Sequence, residues 1–504
     1  MTIKDICSLI KSKSVRDISL VYIGNLFFAG FGFVASVLLA RFLSPDQLGY
    51  YALFLSFSLI LTEFMDLGLR NAVIQNACFF MGKEGKESSF KIIKVSFLLK
   101  IILGVIVSLL GLVFYKSKLI ACFYADKQIP FLFLYSIGLA TTTSFFDFHK
   151  AILQLLKKFK SMSLLPIINQ IFFILFFILI FLYKGDLQLN AIIIIKIGAV
   201  LAALGLSLFF INWKEIFGPS LNPEKNNVRT NKSIIKEIFH FSKWLLLANV
   251  IFTLFEKIDI FMLKYFNSSQ EVGYYFAAQR VIILFTMIGT AITTVCFPKM
   301  AELSGGNDLE PLRDLFVKIS NFSAAIAIPV GFGLASIARE VILLLYGNKY
   351  ISSVPILLSL VPYCIIFILC DNAGGLLLSI GHPELIAVDV FIMLIFNFVG
   401  NYLLIPRWGA VGAGIATSFT QLSNIIFVWY FISKKLKAMP RVKPIFGYMM
   451  ASAIMYLVIR SVNLSTIILV NLLIKIISAI IIFLVLNYFI QLFLVSFSNF
   501  KGKD

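Results

Sequence analysis

The chain has 504 residues, of which 60% are hydrophobic and 14% charged, with 53 Phe and a formal net charge of +19. Soluble globular proteins are about half apolar and about a quarter charged, so this composition excludes an ordinary soluble enzyme. The basic excess does not indicate nucleic acid, because Lys and Arg lie between apolar blocks and not on one polar face with stacking aromatics.

Each apolar block is long enough to cross a hydrocarbon core of about 30 Å, which takes roughly 20 helical residues. In chain order the predicted spans are 18–40, 49–67, 92–115, 129–149, 163–183 and 188–213, followed by 238–263, 272–298, 316–337, 354–380, 384–405, 411–432, 444–460 and 465–495. The first block ends in Leu-Leu-Ala-Arg41, is too long for a signal-peptide core and has no small-residue cleavage site, so it is expected to be retained. Cytoplasmic loops carry an excess of Lys and Arg, and with the N-terminus inside, the loops and adjoining helix ends hold about 28 basic residues inside against about 10 outside. Both termini are therefore expected in the cytoplasm. Every outside loop is short, which leaves no room for an external catalytic domain.

The longest polar link contains Gly218-Pro219 and Pro223 and has the composition of a linker. The expected organisation is an N-terminal lobe over 1–213, a cytoplasmic linker over 214–237, a C-terminal lobe over 238–435, and two additional helices with a cytoplasmic tail over 436–504. The six cysteines form no Cys-x-x-Cys pair and His149, His240 and His382 are isolated. No P-loop, His-Glu-x-x-His or dinucleotide fingerprint occurs, so no catalytic residue, metal site or cofactor is expected.

A shift of 224 residues places Leu43-Ser44-Pro45-Asp46-Gln47-Leu48-Gly49-Tyr50-Tyr51 on Asn267-Ser268-Ser269-Gln270-Glu271-Val272-Gly273-Tyr274-Tyr275, and Gly185 on Gly409. One offset that matches two distant loops favours duplication of a six-helix unit. The simpler alternative is that Gly-Tyr-Tyr starts a helix with interfacial aromatics. The duplication gives the expected fold class: an all-α integral membrane protein with about fourteen transmembrane helices, as two pseudo-symmetric six-helix bundles around a central cavity plus two C-terminal helices.

The stretch Leu38-Leu39-Ala40-Arg41-Phe42-Leu43-Ser44-Pro45-Asp46-Gln47-Leu48-Gly49-Tyr50-Tyr51-Ala52-Leu53, followed by Asp66-Leu67-Gly68-Leu69-Arg70, resembles the N-terminal signature of the polysaccharide-transporter family. That family includes the Wzx-type O-antigen flippases of the MOP (MATE-like) superfamily. Asp259 before Met262-Leu263, Val272-Gly273-Tyr274-Tyr275, and Ile405-Pro406-Arg407-Trp408-Gly409-Ala410-Val411-Gly412-Ala413-Gly414-Ile415-Ala416-Thr417 extend the likeness along the chain. The resemblance implies a flippase that moves an undecaprenyl-diphosphate-linked oligosaccharide from the inner to the outer leaflet of a bacterial plasma membrane. It also implies alternating access coupled to an ion gradient, with membrane lipids, a polysaccharide polymerase and a chain-length regulator as candidate partners.

Ionisable groups inside spans are costly and serve as functional hypotheses. Helix 7 carries Glu256, Lys257 and Asp259, and helix 8 carries Arg280. Glu256 and Asp259 are three apart and are expected to share a face. Arg280 is a candidate to contact the diphosphate or to exchange partners with Asp259, against a static ion pair. Glu63, Asp66 and Arg70 lie near the cytoplasmic end of helix 2, where Asp66 and Arg70 are four apart and expected to pair. Arg41 ends helix 1, where anchoring competes with substrate contact. Lys100, Lys196 and Lys475 lie about 12 to 15 Å along their helices from the nearer end, a distance that strains snorkelling, so they are candidate cavity cations. Substrate contact is thus expected among Arg280, Lys257, Arg70, Lys100, Lys196, Lys475 and Arg41, and ion coupling among Asp259, Glu256, Glu63 and Asp66. Two other readings remain open: a cation-coupled multidrug exporter of the same superfamily, and an integral-membrane enzyme acting on the lipid carrier.

Overall fold

The computed structural model describes residues 13–84, 86–116, 126–185, 188–218, 231–305, 309–461 and 467–500. Cys7, Cys122 and the linker residues 219–230 lie outside these segments. The described residues form helices and no strand. In hydrocarbon a backbone must satisfy its own N–H and C=O groups, and a helix does this within one segment. Even the β-branched run Ile192-Ile193-Ile194-Ile195, a strand former by propensity in water, is therefore helical here.

The helices run in order α1 (Lys13–Phe42), α2 (Pro45–Asp66), α3 (Leu69–Glu84), α4 (Lys86–Lys116), α5 (Gln128–Leu155), α6 (Phe159–Lys184), α7 (Leu189–Phe210), α8 (Trp213–Phe217), α9 (Asn231–Phe266), α10 (Ser269–Ser304), α11 (Glu310–Ser336), α12 (Ala338–Tyr346), α13 (Ser353–Ser379), α14 (Pro383–Leu436), α15 (Val442–Ser461) and α16 (Ile468–Phe500). The fourteen predicted spans fall on these helices, with 384–405 and 411–432 both in α14. Three short helices carry no predicted span: α3, α8 and α12.

The chain forms two compact units, one of Met1–Phe42 with Tyr50–Lys257 and one of Leu43–Gly49 with Ile258–Asp504. In the first unit α1 packs on α6, α6 on α7, and α7 on α5, which also meets α3 and α4. In the second, α13 is central and lies against α10, α11 and α14, while α15 packs on α11 and α16 on α15. Met300, Phe316, Leu376 and Ile432 join α10, α11, α13 and α14 in one buried cluster.

Helix α14 is broken. Pro406 removes a backbone donor, and Gly409 adopts φ 55° with ψ −136°, a left-handed conformation that suits a residue without Cβ. The freed groups find partners on the loop and first turn that lead into α10. The Ala410 N–H donates to Glu271 Oε2 at 2.9 Å, and Asn267 Nδ2 donates to the Ile405 carbonyl at 3.4 Å. At the repeat-related position Gly185 has φ 73° and caps α6.

The segment Leu43–Gly49 is held inside the second unit at several points. Leu43 and Leu48 are buried, and the Leu43 carbonyl accepts from Lys349 Nζ at 2.6 Å and from Tyr350 Oη at 3.3 Å. Burial pushes the Lys349 ammonium below its usual range. The opening turns of α2 and α10 meet backbone to backbone: a Cβ on Gly49 would strike the Ser269 carbonyl, and a Cβ on Gly273 would strike the Pro45 carbonyl. Pro45 and Ser269 are themselves 224 residues apart, as are Gly49 and Gly273. The contact is therefore symmetric under the sequence repeat.

Gly49→Ala is expected to lower the thermal stability of the detergent-solubilised protein by an overpacking cost of about 1–3 kcal/mol. Gly30→Ala, where an added Cβ has nothing within 4 Å, is expected to leave the melting temperature unchanged or raised. Scanning fluorimetry of both variants checks this.

Candidate functional site

In the first unit α2 stops at Asp66, because Leu67 and Gly68 both take left-handed φ values of 43° and 71°. The expected Asp66–Arg70 pair needs a continuous helix, and this break removes the four-residue register. Asp66 instead pairs with Lys100 of α4, whose Nζ lies 2.9 Å from Asp66 Oδ1. Lys100 also donates to the Met65 carbonyl at 3.2 Å, at the C-terminal end of α2 where a cation is favoured by the helix dipole. Lys100 is 1% exposed. Arg70 turns to Asp147 of α5 at 3.8 Å, and Asp147 also holds Lys150 at 3.1 Å.

The other candidates of this unit are more open. Glu63 is half-buried one turn before Asp66. Lys196 of α7 is half-buried with Nζ 4.8 Å from the Phe173 ring centre. Arg41 is exposed in the last turn of α1. Glu256 is exposed and lies 3.8 Å from half-buried Lys257.

In the second unit Asp259 of α9 is 3% exposed and ringed by neutral donors. Asn401 Nδ2 donates to Oδ1 at 2.6 Å, and the Tyr275 hydroxyl donates to Oδ2. Thr417 Oγ1 lies 2.9 Å from Oδ2 and 2.9 Å from the Ala413 carbonyl, so its single proton has two acceptors. Asn401 Nδ2 also reaches Asn397 Oδ1 at 2.9 Å, and Asn397 Nδ2 lies 3.4 Å from Thr417 Oγ1. Three helices build this cage: α9, α10 and both halves of broken α14. Glu256 and Asp259 do not share an environment, since one is exposed and the other enclosed.

Arg280 of α10 is half-buried, with its guanidinium carbon 4.4 Å from the ring centre of Phe276 one turn earlier. Such stacking is a favourable cation–π contact. Lys475 of α16 is buried, with Nζ 2.5 Å from Glu340 on α12.

Sequence reasoning missed Tyr275, Asn397, Asn401, Thr417 and Glu340. The signal for Asn397 and Asn401 was their four-residue spacing inside the apolar run Phe391 to Leu404, which places two amides on one helix face. Glu340 sits on a helix too short to register as a span.

The fold is shared with solved structures of membrane transporters. A solved structure titled lipid II flippase MurJ, inward closed conformation, matches with a TM-score of 0.75 at 16% identity, covering 94% of this chain and 99% of that one. An inward-facing multidrug resistance MATE family transporter of the MOP superfamily matches with a TM-score of 0.64 at 15% identity, covering 84% and 99%. The family model for polysaccharide biosynthesis protein matches residues 38–355, and the chain belongs to that family. Among its relatives is the lipopolysaccharide biosynthesis protein WzxC of Escherichia coli, 23% identical over 84% of this chain and 82% of its own length. A protein of Haloferax volcanii named probable low-salt glycan biosynthesis flippase Agl15 is 22% identical over 82% of both chains.

Removing one partner of a buried ion pair leaves an uncompensated charge and costs about 3–5 kcal/mol, whereas removing both is tolerated. Lys100→Met is therefore expected to lower thermal stability strongly, and Asp66→Asn combined with Lys100→Met to recover most of it. A double-mutant cycle of melting temperatures in detergent measures the coupling.

Proposed function

We propose that the protein is a flippase that carries an undecaprenyl-diphosphate-linked oligosaccharide from the inner to the outer leaflet of a bacterial plasma membrane, with both termini in the cytoplasm. The cycle is alternating access coupled to an ion gradient. The observation that carries this reading is a set of cationic side chains held within apolar helices of a polysaccharide biosynthesis family member. A polyprenyl tail needs an apolar path, and the diphosphate needs cations that are already desolvated and positioned. The names of two relatives, a lipopolysaccharide biosynthesis protein and a probable glycan biosynthesis flippase, support the same substrate class.

Within this reading the cations fall into two groups. Lys100 and Lys475 are neutralised by Asp66 and Glu340 and fix helices in register. Arg280 and Lys196 each lean on an aromatic ring of their own unit, and we assign Arg280 to the diphosphate. Arg in particular offers a planar fork that matches phosphate oxygens. Asp259 is the coupling group: a carboxylate caged by hydroxyls and amides exchanges a proton or a small cation by rotating those groups, with no ion pair to break.

Arg280→Ala is expected to abolish surface glycan while the protein remains in the membrane, and Arg280→Lys to restore part of it. Surface glycan extracted from a strain that depends on this gene, alongside immunoblots of its membranes, checks both. Normal surface glycan in the alanine variant would remove Arg280 from the mechanism.

A further inference from the structure

The cage around Asp259 continues along α14. Asn401, Asn397, Met393 and Asp389 are spaced four residues apart and so form one stripe along the first half of this helix. Thr417, Gln421 and Asn424 form a matching stripe on the second half. The stripes touch where Asn397 meets Thr417 at 3.4 Å, and again where Asn424 Nδ2 donates to Asp389 Oδ2 at 2.6 Å and lies 3.4 Å from Met393 Sδ. Gln421 Nε2 is 3.5 Å from Asn424 Oδ1. The stripe from Asn401 to Asp389 spans twelve residues, or about 18 Å at 1.5 Å per residue, more than half of a hydrocarbon core.

Buried amides between transmembrane helices ordinarily act as packing glue, and glue satisfies its own hydrogen bonds. This column does not. Asn401 Oδ1, Gln421 Oε1 and Asp389 Oδ1 have no partner among the described residues, although these side chains are 0%, 3% and 4% exposed. A buried polar group left unpaired is costly, because it has given up water without gaining a partner. All three orphans are acceptor oxygens, and none is a donor. Two unmatched amide oxygens between two carboxylates, with a third unmatched oxygen on Asp389 itself, are complementary to a positive guest and not to an anion.

We propose that the two halves of α14 form a path for a small monovalent cation, a proton or an alkali ion, that joins Asp259 to a second cation position at Asp389. This rests on the coupling role assigned to Asp259 and extends it to the route by which the ion reaches one membrane face, the cytoplasmic one in the orientation proposed above. Asp389 stands two turns inside the end of α14 remote from the Gly409 break. Asn424 and Met393 contact it, and Cys370 of α13, which feels the charge of both Asp389 and Asp371, is the titratable neighbour. Met393 is the one apolar step in the stripe, and its flexible thioether is suited to yield as an ion passes.

The test reconstitutes the full chain in liposomes with a fluorescent polyprenyl-diphosphate oligosaccharide. Translocation is followed under a sodium gradient at fixed pH and under a pH gradient at fixed sodium, and the arm that accelerates wild type identifies the ion. Asp389→Asn, which keeps an acceptor for Asn424, and Gln421→Leu are expected to lose that acceleration, as Asp259→Asn does. If Asp259→Asn loses it while both path variants keep it, the path is overturned and the coupling role of Asp259 stands. If neither gradient accelerates wild type, both fall together. A second measurement does not depend on transport: on a background in which the native cysteines are replaced, Gln421→Cys is expected to react with an aqueous cationic thiosulfonate, and lipid-exposed Ile426→Cys is not. An unreactive Gln421→Cys overturns the path.

Discussion

A polar group placed in hydrocarbon without a partner costs several kcal/mol, and no water is at hand to relieve it. This constraint organises the protein from backbone to site. Helices satisfy the chain segment by segment. Where α14 breaks at Pro406 and Gly409, Asn267 supplies a donor to the Ile405 carbonyl and Glu271 an acceptor for the Ala410 N–H. Where a lysine must lie deep, as at Lys100 and Lys475, a carboxylate from another helix meets it. Hydrophobicity does not drive these helices together, since lipid tails are as apolar as their side chains. Close backbone contact, as at Gly49 and Gly273, and paired polar groups do so instead.

The two units solve the same problem with different chemistry. The first matches charge with opposite charge, through Lys100 with Asp66 and Arg70 with Asp147. The second also pairs Lys475 with Glu340, but it surrounds Asp259 with hydroxyls and amides. The repeat makes the difference plain. Its glycines recur at the same offset, and so does Tyr275, which falls on Tyr51. Asp259, Asn397, Asn401 and Thr417 instead fall on Ala35, Phe173, Phe177 and Ile193. The repeat-related positions share backbone features, and the polar cage belongs to the second half of the repeat alone. An opposite-charge pair is costly to separate, whereas a neutral cage is reorganised by turning hydroxyls and amides. The cage is therefore the better place for an exchanging ion, and the pairs are better suited to hold a frame.

Much of the fold was legible because hydrocarbon thickness dictates segment length. Fourteen apolar runs became helices, and the offset that aligned Gly49 with Gly273 and Gly185 with Gly409 proved to mark a symmetric contact and two left-handed glycines. The short helices escaped because α12 and α8 are too brief to span and α3 is too polar. The site was less legible. Charges could be flagged one by one, but partners are chosen by tertiary packing: nothing in the local sequence ties Asp66 to Lys100, and the break that prevents its pairing with Arg70 is two left-handed residues, Leu67 and Gly68. Asn397, Asn401 and Thr417 carry no charge to flag them, and their importance shows only where three helices converge on Asp259.

The central claim is that the purified chain by itself moves a lipid-linked oligosaccharide between leaflets. The direct measurement places a fluorescent polyprenyl-diphosphate oligosaccharide in both leaflets of liposomes and adds an impermeant reductant outside. Vesicles containing the protein should lose nearly all of their fluorescence, because the inner pool is carried out and bleached. If they stop at the same half-bleached plateau as protein-free vesicles, with the protein folded and inserted, the account is contradicted.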